Sequence, residues 1–181
     1  MRPDWIEVQL RRRGIRDERV LAAMAHVPRE VFVPPAARRH AYADAALSLP
    51  YGQTISQPYI VAAMIEAANL TSSDRVLEVG AGSGYAAAVM SRIAQGVYAI
   101  ERHGSLTKSA ARRIGRLGYR NIELRTGDGT KGWPENAPFD AILVAASGPD
   151  VPPALREQLA IGGRLIIPVD RGQRWQTLRR I

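Results

Sequence analysis

Apolar residues recur at helical spacing twice near the start of the chain, at Trp5, Val8 and Leu10, and again after Gly14 at Val20, Leu21 and Met24. The pattern predicts two short helices separated by a glycine stop. Prolines at 28, 34 and 35 crowd the next stretch, so turns around a short helical piece are expected there. Residues 41–53, AYADAALSLPYGQ, have no period and read as an irregular segment packed over something. Ile60, Val61, Met64, Ile65 and Ala68 mark an amphipathic helix over 59–70. Ser56 is placed to cap it, and Pro58 falls in its early turn, where a missing N–H costs little.

From residue 75 the period changes. Short β-branched and aliphatic runs at 76–79, 97–100, 122–125, 139–145 and 163–169 alternate with helical stretches over about 85–95, 105–117 and 152–160. This alternation predicts an α/β, Rossmann-like doubly wound fold: a mostly parallel sheet, helices on both faces, and an N-terminal helical extension. Residues 173–181, QRWQTLRRI, could open a sixth strand, leaving a C-terminal β-ribbon incomplete and a sheet edge uncovered. The length of 181 residues fits one domain. Within it, 1–70 is expected to be the helical, substrate-side segment and 71–181 the cofactor-binding core.

The chemistry concentrates in RVLEVGAGSGY, residues 75–85, a strand that breaks into a turn with glycine at 80, 82 and 84 and then becomes an alanine-rich helix. Glycines suit positive φ and close approach to a ligand, and the helix start offers unpaired N–H groups and a positive dipole end. Ligands of open α/β sheets sit beyond the carboxyl ends of the strands, here Gly80 to Gly84, Glu101 and Asp128-Gly129. Glu101, about 20 residues past the turn, is placed to take the two hydroxyls of a ribose. That much serves NAD or S-adenosylmethionine equally. A dinucleotide fingerprint, however, wants G-x-G-x-x-G, and Tyr85 stands where the third glycine would fall. Glu78 would repel a pyrophosphate and tolerate a cationic methionine moiety, and it is also read as organising the turn.

Composition narrows the rest. The absence of cysteine excludes disulfides, thiolate nucleophiles and cysteine metal sites. His26, His40 and His103 form no metal spacing, and no metal is expected. The formal charge of +8 is almost wholly arginine, which raises the prior for acidic partners. The arginines look scattered, without an aromatic-interleaved stripe, so a nucleic-acid surface is not expected. No apolar run approaches a membrane span, and a cytoplasmic monomer is the default expectation.

In order, VLEVGAGSGYAAAVMSRI, VYAIER, RTGDGTKGWPENAPFDAILVAASGPDVP and IGGRLIIPVD resemble the motifs of class I methyltransferases. With VLAAMAHVPREVFVP, AYADAALSLPYGQ and QTISQPYIVAAM, they resemble the protein-L-isoaspartate O-methyltransferase family over about residues 8–181. The resemblance implies S-adenosyl-L-methionine as cofactor, with S-adenosyl-L-homocysteine as product. It implies that Gly80, Ala81, Gly82, Ser83 and Gly84, with Glu78, approach the methionine part. Glu101 and Arg102 would lie at the ribose, and Asp128 and Gly129 at the adenine. Thr54, Ile55 and Ser56 would hold the isoaspartyl carboxylate of a damaged protein or peptide, Ser56 being the catalytic candidate. The methyl ester would then cyclise to a succinimide, which amounts to protein repair. The loop DAALSLPYGQ departs from relatives, which carry prolines near Ala46 and Ser48 and a glycine near Pro50. Relatives also continue past Ile181 with the β-ribbon. The alternatives are a class I methyltransferase with another acceptor and a non-catalytic cofactor-binding homologue; an NAD oxidoreductase is opposed by the glycine spacing.

Overall fold

Every residue of 76–79 is buried, a run that needs cover on both faces of a sheet. The computed structural model, which describes residues 4–146, 150–170 and 176–181, places this run at the centre of six strands. The strands are β3 (Arg75–Val79), β4 (Gly96–Glu101), β5 (Ile122–Thr126), β6 (Phe139–Val144), β7 (Leu159–Asp170) and β8 (Gln176–Arg180), in spatial order β5-β4-β3-β6-β7-β8. All neighbours are parallel except β7 and β8. The chain works outward from β3 to one edge through β4 and β5, then returns to the other side at β6. The crevice at that reversal opens beyond the carboxyl ends of β3 and β6.

The two-residue side-chain alternation sorts β3 between two cores. Val76 joins Val97, Ala99, Ala141 and Leu143 against the N-terminal helices, whereas Leu77 and Val79 join Ile100, Ile142 and Val144 on the far face. The helices are α1 (Glu18–His26), α2 (Pro58–Ala68), α3 (Tyr85–Met90), α4 (Gly104–Arg116) and α5 (Pro153–Glu157). A two-stranded ribbon, β1 (Leu47–Ser48) with β2 (Thr54–Ile55), sits apart from the main sheet.

The expected fold is borne out, with local differences. The first predicted helix is a π-helical turn, Ile6–Leu10, running into a 3-10 turn, Arg11–Arg13, and Gly14 at φ 102° stops it. Helix α3 ends at Met90 rather than near 95, because the Asn121 side chain gathers the carbonyls of Ser91, Ala94 and Gln95. Strand β7 begins at Leu159, four residues early. Its register against β6 jumps between Phe139 and Ala141, which takes up 160–163, with Gly162 at φ 76°. Of the tail, 176–180 is the sixth strand; 173–175 lie outside the described residues.

At the amino end of the sheet Arg164 makes a clamp. It donates from Nε to the Ala68 carbonyl at 2.8 Å, from Nη1 to the Asp140 carbonyl at 3.0 Å and from Nη2 to the Asn69 carbonyl at 3.0 Å, and it pairs with Asp74. Asp140, which opens β6, accepts the Arg75 N–H at 2.8 Å. No helix among the described residues is long and apolar enough to cross a membrane.

Candidate functional site

The turn after β3 needs its glycines. Gly80, Gly82 and Gly84 have φ of 91°, 52° and 82°, the left-handed region that side chains oppose. The turn is folded upon itself. The N–H groups of Gly80 and Ala81 both donate to the Ile100 carbonyl, at 2.8 and 3.0 Å, and that of Gly84 donates to the Ala81 carbonyl at 2.8 Å. The Gly82 N–H donates to Glu101 Oε2 at 2.8 Å. These four N–H groups are engaged within the protein, so they do not form a phosphate nest of free donors. Tyr85 does not face a ligand either. It is fully buried, edge-on to Phe32 at 5.5 Å, and burial raises its phenol pKa.

Glu101 ends β4 and is buried, with Oε1 accepting the His103 N–H at 2.9 Å. It thus ties the turn to the start of α4. Glu78 lies one face over, beside α3, where burial first and the Glu101 charge second push its carboxyl up to about 8 against the Ala87 N–H. Its Oε2 has no hydrogen-bond partner. Asp128 caps a 3-10 turn, accepting the Thr130 N–H at 3.0 Å and its hydroxyl at 2.7 Å, contacts that lower its pKa. Gly129 has no room for a side chain: a Cβ would come within 2.4 Å of Val79 Cγ1. Arg102 is exposed and Ser83 is buried, its carbonyl held by Arg113 Nη1 at 2.7 Å.

Residues 47–55 fold over this turn. The β1–β2 ribbon pairs Leu47 with Ile55 and Ser48 with Thr54, and the 3-10 turn Pro50–Gly52 between them holds Tyr51 at φ 63°. A side chain added at Gly82 would start 3.6 Å from Leu49 Cδ1 and 3.9 Å from the Thr54 carbonyl oxygen. The structure thus brings Thr54 beside the glycine turn, and Ser56 follows two residues on. Ile55 is buried, so only its backbone is offered.

Ser56 as a helix cap is a second correction. Gln57 occupies the N-cap of α2, no side chain caps it, and Pro58 is the first helical residue. The Ser56 hydroxyl has no hydrogen-bond partner among the described residues, and the N–H groups of Tyr59 and Ile60 precede the first intrahelical bond. A hydroxyl and two backbone donors are left unspent within residues 56–60. What fixes Ser56 is its carbonyl, which accepts from Arg29 Nη2 at 2.7 Å.

Arg29 is the residue that sequence reading missed. It is fully buried, donates from Nε to the Ala41 carbonyl at 2.7 Å, and lies 4.8 Å from the Tyr85 ring centroid. Burial lowers its pKa. Its place beside Pro28 and before the apolar Val31-Phe32-Val33 was the available signal, since a charge inside such a run needs partners. The stacking of Tyr51 on His103, 5.2 Å between centroids and 9° from parallel, had no sequence signal.

The model of the family described as protein-L-isoaspartate(D-aspartate) O-methyltransferase matches residues 4–181. The chain belongs to that family. A protein-L-isoaspartate O-methyltransferase 1 of Rhodopseudomonas palustris is 55% identical over 180 residues, covering 99% of this chain and 74% of the relative. The protein-L-isoaspartate O-methyltransferase of Roseiflexus castenholzii is 60% identical over 170 residues, 94% of this chain and 78% of its own. A solved protein-L-isoaspartate O-methyltransferase superposes with TM-score 0.87 at 33% identity, covering 99% of this chain and 59% of that one. A Plasmodium falciparum structure described as this methyltransferase in complex with S-adenosyl-L-homocysteine matches with TM-score 0.84 at 28% identity, 98% of this chain and 87% of that one. The expected family, the methyltransferase class and the S-adenosylmethionine cofactor are borne out.

Proposed function

We propose that this chain methylates the free carboxylate of L-isoaspartyl residues in damaged proteins or peptides, with the cofactor on the glycine turn and the substrate carboxylate at Ser56. The turn fits the cofactor: Gly80 and Gly82 take positive φ without a side chain to obstruct the approach, and Glu78 behind the turn holds a buried oxygen without a hydrogen-bond partner. Gly80, Ala81, Gly82, Ser83 and Gly84 form the wall for the methionine part. Glu101 and Arg102 take the ribose side, and Asp128 and Gly129 border the adenine. When bound, S-adenosylmethionine supplies an electrophilic methyl group on a sulfonium.

The chain's own part is binding, alignment and exclusion of water. A carboxylate of pKa near about 4 is ionised at neutral pH, so no general base is needed. The Ser56 hydroxyl and the N–H groups of Tyr59 and Ile60 are donors for one carboxylate oxygen, leaving the other to face the glycine turn. Arg29 fixes the Ser56 backbone, and the Leu49–Gly82 contact closes the ribbon over the turn, so that the reacting oxygen is oriented and desolvated.

The observation that carries this reading is the unspent donor group at Ser56, near a glycine turn in which the N–H groups of Gly80, Ala81, Gly82 and Gly84 are already engaged. Transfer of labelled methyl to an isoaspartyl peptide, compared with its aspartyl twin, is the test. Labelling of the isoaspartyl peptide alone is expected; equal labelling of the two would sink the proposal.

A further inference from the structure

The arginines that look scattered in sequence converge in the fold. Arg38, from the segment after the prolines, and Arg112, Arg113 and Arg116, from successive turns of α4, line one cleft of about 690 Å³. Positions 112 and 116 are one helical turn apart and share a face. No Asp or Glu lines the cleft among the described residues. Arg38, Arg112 and Arg116 are exposed and make no ion pair among the described residues. Arg113 is committed otherwise: it holds the Ser83 carbonyl, reaches Ser109 Oγ at 3.4 Å and lies over Phe32 at 5.7 Å. Burial, and then the neighbouring charge of Arg112, lowers its pKa. The cleft therefore gathers cations that repel one another and that an anion would favour.

The cleft adjoins the proposed cofactor wall at Gly82 and Ser83 and is continuous with the proposed substrate ribbon. Neither Glu101, Asp128, Gly129 nor Ser56 lines it, whereas Leu49, Pro50 and Tyr51 do, and Gly82 and Ser83 close one end. The loop that carries Tyr51 runs directly into Thr54–Ser56. A chain seated at Ser56 and leaving past Tyr51 enters a passage lined by Arg112 and Arg116 of α4 and by Val33, Pro34, Pro35 and Arg38 of the proline-rich segment.

We propose that this cleft binds acidic side chains flanking the isoaspartyl residue, so that the protein prefers substrates with a Glu-rich flank. The inference rests on the reading given under the proposed function. A peptide suits the cleft better than nucleic acid does. Tyr51 already gives one ring face to His103 and Phe32 is buried, which leaves little aromatic surface for stacked bases.

The test compares isoaspartyl peptides that differ only in flanks of Glu or Gln, in the wild type and in R112Q/R116Q. Binding is read by fluorescence anisotropy and turnover by methyl transfer. The wild type should favour the Glu flank by about fivefold in Kd and KM, the worth of two partly screened pairs, and added salt should erode that ratio. In R112Q/R116Q the ratio should fall to about one, and in R112E/R116E a Lys flank should overtake the Glu flank. Equal affinity for the two flanks in the wild type at low salt would overturn the inference while leaving the methylation reading intact. Methylation of neither peptide would remove that reading itself. Weakened binding of S-adenosylhomocysteine in R112Q/R116Q would return the cleft to the cofactor. Competition by a short RNA that R112Q/R116Q abolishes, without any Glu preference, would assign it to nucleic acid; either of these outcomes overturns the proposal.

Discussion

Asp74 and Glu78 stand four residues apart on the same stretch, both buried, at 6% and 2% exposure, and they have opposite fates. Burial raises the Asp74 pKa, but the Thr71 hydroxyl at 2.7 Å, the Thr71 N–H and the Arg164 guanidinium outweigh it and hold the carboxyl below its ordinary value. Glu78 has the Ala87 N–H, a carboxylate neighbour and an empty Oε2, and it is pushed up to about 8. The amino end of the sheet spends its polar groups on holding the fold together. The carboxyl end leaves Glu78 Oε2 without a partner, at a cost in stability, which is the pattern of a binding site.

The comparison breaks most visibly at the clamp. Asp74→Ala strands the Arg164 guanidinium among carbonyls and should cost about 3 kcal/mol in urea unfolding, as expected for a largely buried pair losing one partner. The affinity of the folded protein for S-adenosylhomocysteine should stay within about twofold. At the opposite end, Gly129→Ala drives a methyl into Val79 and should cost about 1–3 kcal/mol of stability. Here the cofactor affinity, read by calorimetry, should fall by about tenfold or more, if Gly129 borders the adenine as proposed.

A smaller effect separates the two carboxyls by pH. The depressed Asp74 pKa contributes stability that is present above the unfolded carboxyl value and lost as pH falls through the folded one. The raised Glu78 pKa works in reverse: its contribution is full below about 4.5, and it is lost as pH rises through about 8. Glu78→Gln, a neutral isostere, should therefore raise the melting temperature relative to wild type progressively from about pH 5 to about pH 8 and by a constant amount above that, worth about 1 kcal/mol or more on the plateau. Identical slopes in the two proteins between about pH 5 and 8 would show that Glu78 is not held protonated.

Much of this was legible in the sequence for a physical reason. Strand β3 is apolar at consecutive positions because both its faces are covered, and glycines at alternate positions can only mean a turn with positive φ, so sheet, turn and Glu101 could be placed from local pattern alone. Ser56 was given the wrong local role, since Ser-Gln-Pro reads as a cap one residue away from where the helix starts. Arg29 and the Arg38–Arg112–Arg116 cleft were not legible. Their meaning depends on partners 12 to 78 residues away, the Ala41 and Ser56 carbonyls for the first and the opposite wall for the second, and no period in the chain records such separations.

The division between a cofactor turn and a separate carboxylate site at Ser56 is tested most directly by Ser56→Ala, measuring KM for an isoaspartyl peptide beside Kd for S-adenosylhomocysteine. Loss of one charge-assisted hydrogen bond should raise the peptide KM by about tenfold while the S-adenosylhomocysteine Kd stays within about twofold. A Ser56→Ala protein that binds S-adenosylhomocysteine tenfold more weakly, with its peptide KM unmoved, would contradict the account.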